Sequence, residues 1–512
     1  MTSIKKTSNL KIKRLIIFFL VLLQISGFGQ SIDDSFSQKK MKKDLAVFKE
    51  IRQKVNSGLY KYRTKEQIDS TYNWAEEKIN SLSTYRDFFN LIAKLTDYEG
   101  SLHNETNMPH KRWQKVRKEE NGYFPLPVKC IQDKWIINYA DGPIPLGTEL
   151  VEINDTPIAE LVAKLDMYYT TDGNNLSGKK LGVSTHFARY YRLAFGLQDS
   201  FRIRLKRKGQ KASEEVVLKS VSYAKYYERF NQRHSRPFDQ INYAKLDDDQ
   251  KYSFKRIDSV SGLLSIHSFG MGNESTKEHK AYAKFLDSIF TSIQSNQLKN
   301  LIVDVRYNGG GDDPNDLITY SYLSQREFQE NKQAWIAFKK IPLIRYYNIN
   351  IPKFIRPLVV GKYNRKLQEI FPLEKNGKYF QDSNSKDHTI RYPSDKAFNG
   401  KVYLLIGPAV ASAGSLFAAM LAGNENTTVI GEESAGGYYG HNGHTSMEYK
   451  LPESKLVTQF SIVNLTQDVA ERPNQIDARG IIPDIEVEQS YQDFLSNQDT
   501  QLNFTLDLIR KE

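Results

Sequence analysis

Between about residues 40 and 95 apolar positions recur every three or four residues: Leu45, Phe48, Ile51 and Val55, then Phe88, Leu91, Ile92 and Leu95. That spacing follows the 3.6-residue turn of a helix with one buried face, so it predicts helices here. Thr84 and Asp87 stand where the second helix should begin, because short polar side chains satisfy the free N–H groups of a first turn. Gly100 ends the pattern, and Asp97-Tyr98-Glu99-Gly100-Ser101-Leu102-His103-Asn104 reads as a polar loop.

From about residue 124 to 221 the rhythm changes. Short apolar runs at 135–137 and 150–153 are broken by Gly and Pro. Phe201, Ile203 and Leu205 alternate with polar residues, Lys208-Gly209 makes a turn, and Val216-Val217-Leu218 returns, which predicts a hairpin. Residues 223–255 are polar, charged and aromatic and read as a linker. Beyond them lie a strand-like run at 262–269, a helical period through 277–293, and a continuous apolar strand at 301–305. A run at 401–406, a helix at about 412–422 and a strand at 428–430 follow. Unbroken apolar strands alternating with helices predict an α/β core around a largely parallel sheet. Residues 326–399 interrupt this core as an inserted subdomain or lid, and 491–512 read as a closing amphipathic helix. The expected layout is a helical region 30–115, a β-rich domain 120–222, a linker 223–255, a core 256–490 with its insertion, and the terminal helix.

Composition narrows the class. The chain has 512 residues, 39% hydrophobic and 26% charged, which excludes a disordered, collagen-like or polytopic membrane protein. A single cysteine, Cys130, excludes an intramolecular disulfide framework and a zinc site of several thiolates. The first 29 residues carry Lys5, Lys6, Lys11, Lys13 and Arg14 and no acid, then an apolar run at 15–28 with small residues at Gly27 and Gly29. That is the pattern of an export signal, and the run falls short of the roughly 20 residues a membrane span requires. Loss of segment 1–29 would leave a periplasmic or secreted protein without a membrane anchor, and would lower the net charge from +12 to +7. The remaining basic residues are scattered, which gives no reason to expect a nucleic-acid partner.

Three constellations could carry chemistry. In Asp304-Val305-Arg306-Tyr307-Asn308-Gly309-Gly310-Gly311-Asp312-Asp313 a buried strand runs into three glycines. No Gly-Lys-Ser/Thr follows, so a phosphate loop is disfavoured, and Arg306 occupies a ligand position of a calcium loop. An oxyanion hole built of backbone N–H groups, or a tight turn stabilised by an Asp304–Arg306 pair, fits the composition. Ser412, after the strand at 401–406, is either a nucleophile at a helix N-terminus or an ordinary helix cap. A nucleophilic serine requires a proton acceptor, and His103 in its polar loop is one candidate. His441 and His444 lie in a glycine-rich loop without the partners a metal site would need, so no metal or cofactor is expected.

Residues 263–269, 301–311, 401–422, Val429-Ile430-Gly431-Glu432 and Gly480-Ile481-Ile482-Pro483-Asp484-Ile485 occur in a specific order. In that order they resemble the catalytic domain of the C-terminal-processing (tail-specific) serine proteases, the family that includes the tricorn core protease. Residues 147–158 resemble the carboxylate-binding-loop neighbourhood of a PDZ module. The resemblance implies a crotonase/Clp-protease-like α/β core with an N-terminal helical region and a PDZ-like middle domain. It also implies hydrolysis of peptide or polypeptide substrates through an acyl-enzyme. Ser412 matches the nucleophile, although Ser-Ala-Gly-Ser replaces the usual Ser-Ala-x-Glu. The N–H groups of Ala413 and Gly310 would form the oxyanion hole. Gly437 occupies the position of the family's general-base lysine, so the Ser-Lys dyad is missing. The tricorn-like branch uses a histidine from an upstream loop, and His103 matches it. Its orienting acid falls on Asp477, where that branch has Glu, and Ser101 is the nearest serine to His103. The expectation is therefore an exported serine peptidase with Ser412, His103, and Asp477 or Ser101 in these roles. The alternative is a non-catalytic protein on the same scaffold, binding a peptide or apolar ligand at the aromatic insertion (Trp335, Phe338, Tyr346, Tyr347, Phe354).

Overall fold

The apolar run at 301–305 forms strand Asn300–Asp304, with Leu301, Ile302 and Val303 fully buried. Each such side chain contributes roughly 1.5–3 kcal/mol by leaving water. The structure, a computed structural model, describes residues 31–140, 142–210, 212–233, 248–352 and 354–512. The segment 1–29 read as an export signal lies outside the described residues, as does 234–247 of the linker.

Asn300–Asp304 is central in a six-stranded sheet ordered Ile485–Glu486, Thr427–Gly431, Lys401–Ile406, Asn300–Asp304, Ser261–Ile266, Tyr252–Arg256. The first five run parallel and the last pairs antiparallel. Helices Lys277–Ser295 and Ala413–Ala422 cover one face through Leu286, Phe290, Phe417 and Leu421. Helix Thr500–Lys511 covers the other, setting Leu502, Leu506 and Ile509 against Ile302, Tyr403 and Leu405. Sheets covered on both faces read as unbroken apolar strands, which is why this core is visible in the sequence.

A second sheet joins remote parts of the chain. Strand Val457–Gln467 pairs with Glu105–Asn107, just after the His103 loop, with Asn442–Lys450, and with Asn331–Ile336 from the insertion. Lys378–Phe380 and Leu373–Lys375 extend it. The insertion 326–399 thus supplies three strands of a shared sheet. Its aromatics divide: Phe338 is buried, Trp335 lies near Phe380 with ring centroids 6.3 Å apart, and Phe354 is exposed.

The third sheet is antiparallel: Val128–Ile131, Lys134–Ile137, Glu149–Ile153, Ser200–Lys206, Glu214–Lys219, with Thr156–Pro157 on Glu149–Ile153. The hairpin predicted around Lys208-Gly209 pairs Phe201 with Leu218. Between its strands lies the helix Ser177–Phe195, which the reading of 120–222 as β-rich did not anticipate; two glycines and several aromatics blur its period. The segment 223–255 is also more than a linker. Tyr223–Arg233 is a helix that buries Tyr226 and Phe230, and Tyr252–Arg256 is the antiparallel edge of the core sheet.

Candidate active site

Strand Lys401–Ile406 ends at the carboxyl edge of the parallel sheet, where α/β folds open their binding crevices. The chain turns through 407–411 and begins helix Ala413–Ala422 with Ser412 as its N-cap. Ser412 has φ 53° and ψ −131°, and its hydroxyl makes no cap bond. A non-glycine residue held there is strained, and such strain concentrates at functional turns. The Oγ is left free to face the loop opposite.

His103 reaches it from the first quarter of the chain: Nε2 lies 3.3 Å from Ser412 Oγ. The loop that carries His103 is held by buried acids. Glu99 accepts hydrogen bonds from Arg52 Nε (2.8 Å), Asn56 Nδ2 (3.1 Å) and Asn104 Nδ2 (2.8 Å). Asp172 accepts from the Leu102 N–H with Oδ1 and from the Gly437 N–H with Oδ2, both at 3.0 Å. Thr170 Oγ1 donates to the carbonyls of Leu102 and Asn104. Burial raises the Glu99 carboxyl to about 7 and the Asp172 carboxyl to about 6, against the pull of their donors. Neither acid stood out in the sequence. Only the polar run Thr170-Thr171-Asp172-Gly173-Asn174-Asn175 marked a turn there.

Burial lowers the His103 pKa to about 4, with the Asn442 backbone opposing it, so the ring is neutral at pH 7. It stacks on His441, centroids 5.2 Å apart and planes 20° apart. His441 is buried, both its ring nitrogens lack a hydrogen-bond partner, and burial holds its pKa far below the usual value.

The expected orienting groups do not meet this ring. His103 Nδ1 has no hydrogen-bond partner of good geometry, and neither does the buried Ser101 Oγ. Asp477 is exposed, in a turn whose Ala478 carbonyl accepts from Asn174 N–H. The acid engaged on that segment is Glu433, which binds Arg479 and the Gly480 N–H. In this structure Asp477 is turned to solvent and Ser101 is buried without a bond to the ring.

The oxyanion assignment changes in part. Gly310 has φ 109°, and a Cβ there would stand 2.8 Å from Ser412 Cβ and 3.1 Å from Ala413 N, so only glycine fits beside the serine. Its N–H, however, donates to Asn308 Oδ1 at 2.9 Å and is not free. The Ala413 N–H has no hydrogen-bond partner among the described residues. Ser415, in the place of the usual acid, is buried and donates to the Ser412 carbonyl at 2.8 Å. At Gly437, in the place of the missing lysine, a Cβ would lie 3.2 Å from Tyr62 Oη. That hydroxyl donates to the Gly440 carbonyl. The half-buried Lys61 is engaged elsewhere, on the Leu465 carbonyl and Asn464 Oδ1.

Two cavities reach Ala411, the neighbour of Ser412. One of about 450 Å³ also reaches Gly309, and the other, of about 500 Å³, also reaches Leu102.

The comparisons bear on the fold and the family. Residues 261–487 match the model of peptidase family S41. Mature CPAF complexed with lactacystin is similar over 93% of this chain and 98% of its own, at 14% identity and a TM-score of 0.61. Mature CPAF alone is similar over 89% and 94%, at 14% identity and 0.57. No curated protein matches the chain. At that identity the structural likeness is one of fold, and it extends beyond the matched core to the flanking regions. The segment that holds Ser412 and the glycine loop, residues 261–487, belongs to peptidase family S41, the family of the C-terminal-processing proteases.

Proposed function

We propose that the protein is an exported serine peptidase that cleaves polypeptides through an acyl-enzyme. The observation that carries this reading is a neutral, half-buried imidazole 3.3 Å from the hydroxyl of a strained serine at a helix N-terminus. His103 Nε2 takes the Ser412 proton as Oγ attacks the carbonyl carbon. The Ala413 N–H faces the developing oxyanion, and a second donor comes from the 309–311 loop; Gly310 serves there only by sharing or leaving its bond to Asn308. His103 then protonates the leaving amine. A water, deprotonated by the same ring, releases the acyl group.

In place of an acid on Nδ1, Asp172 holds the base indirectly, through the backbone of its loop, and His441 flanks the ring. Export and preference for chain ends rest on the basic-apolar segment 1–29 and on the resemblance of 147–158 to a PDZ carboxylate loop.

Fluorophosphonate labelling tests the reading. Wild type should label at Ser412 and Ser412→Ala should not, while His103→Ala should label at least about a hundredfold more slowly. Equal labelling of wild type and Ser412→Ala would remove Ser412 from the role. Tight peptide binding with no labelling would favour the non-catalytic alternative.

A further inference from the structure

The 500 Å³ cavity beside the serine contains an uncompensated cation. Its walls are mostly apolar and aromatic, with Phe89, Met108, Trp113, Tyr168 and Leu193 among them, and it touches Ala411 and Leu102, the residues before Ser412 and His103. Arg189, from helix Ser177–Phe195, lines the same cavity. Its guanidinium carbon lies 5.0 Å from the Tyr190 ring centroid and 5.7 Å from that of Trp113. Its one described hydrogen bond runs from Nη2 to Tyr190 Oη at 3.4 Å. Among the described residues no carboxylate pairs with it. Glu105, on the cavity wall, instead accepts from Asn107 Nδ2 at 3.0 Å.

Among the described residues the arginines buried from solvent are paired. Arg52 pairs with Glu99, Arg192 with Asp33 and Glu119, and Arg306 with Asp304 and Asp499. Removing a guanidinium from water without an anion is costly, and aromatic faces return only part of that cost. A planar fork of donors in an apolar pocket is the arrangement that selects a carboxylate, which it binds in bidentate fashion.

We propose that Arg189 is a specificity-determining residue: it receives a carboxylate of the polypeptide substrate, set in an apolar and aromatic pocket, and so fixes which bond is presented to Ser412. This deepens the peptidase reading and rests on it. The carboxylate could be an Asp or Glu side chain or a free chain end; the chemistry at Arg189 is the same.

The test uses the full chain and a peptide library read by mass spectrometry, each peptide made with a free and with an amidated C-terminus. Cleavage should favour peptides with Asp or Glu at one fixed distance from the cut bond, or should depend on the free C-terminus and be lost on amidation. The first outcome assigns a side-chain carboxylate and the second a chain end. Arg189→Met, which keeps the stem and drops the charge, should lower kcat/KM for the preferred peptide by about tenfold or more. It should change a neutral peptide by less than about twofold, and Arg189→Lys should recover part of the loss. Ser412 should label normally in both variants, which shows that the fold and the serine are intact. In Ser412→Ala, binding of the same peptides by fluorescence anisotropy should show the same carboxylate selectivity. Equal cleavage and equal binding of carboxylate-bearing and neutral peptides would overturn the proposal. So would Arg189→Met weakening both classes alike. Selective binding without any labelling of Ser412 would retain the pocket assignment and reject the peptidase reading.

Discussion

His103 shows how burial sets a side chain's chemistry. The ordinary imidazole titrates near 6.5, and here desolvation brings it to about 4, so the lone pair that must take the serine proton is present well into the acid range. On the proposed mechanism the sign is fixed by which form can act: only neutral imidazole accepts a proton. Activity should therefore rise with pH through a midpoint well below 6.5, near 4, and be flat above it until another group intervenes. The pH profile of kcat/KM in unliganded enzyme measures this directly. The folded state favours the uncharged ring, so stability is complete above the unfolded value of 6.5 and declines as pH falls toward 4. Ser412 and His103 were singled out in the sequence by the family resemblance, since the local patterns, small residues after a strand in one case and a polar loop in the other, left an ordinary helix cap and a structural histidine equally open. What orients the ring was not legible. Whether Asp477 faces His103 depends on how turn 473–478 packs, and the Gly310 N–H is taken by the side chain of Asn308, two residues away.

The elements act through the bonds between their loops. Asp172 ties the loop of the base to the loop that has lost the family lysine, with one carboxylate oxygen on each. Asn at 172 keeps one acceptor and loses the other. Asp172→Asn should lower kcat/KM by about tenfold or more while KM moves little, because each charge-assisted bond is worth roughly 1.5–3 kcal/mol. Steady-state kinetics alongside the thermal midpoint separate displacement of the base from loss of fold. The helices and strands of the core were readable because period and burial agree there. Helix Ser177–Phe195 was not, since it breaks at His186 and its apolar residues form no single stripe. The insertion was read as a separate unit because strand pairing across more than a hundred residues leaves no local trace. Asn331–Ile336 meets Val457–Gln467 only in the folded chain.

Across the whole molecule, one apolar cluster joins Phe48 and Ile51 of the N-terminal helices to Phe187 and Phe201 of the middle region and to Ala334 and Phe460 of the second sheet. The region that carries His103 therefore shares its core with the strands of the second sheet. Activity, fluorophosphonate labelling and near-ultraviolet circular dichroism should be lost together on heating. Labelling that disappears at a lower temperature than the aromatic signal would show that the N-terminal region detaches first. The pairing of Glu105–Asn107 with Val457–Gln467 has a further consequence for biosynthesis. The strand that anchors the His103 loop finds its partner only when translation has passed residue 467, long after the histidine itself has emerged. A nascent chain holds a serine and an imidazole that have not met, so on the proposed mechanism no acyl-enzyme can form until nearly the last segment has been delivered.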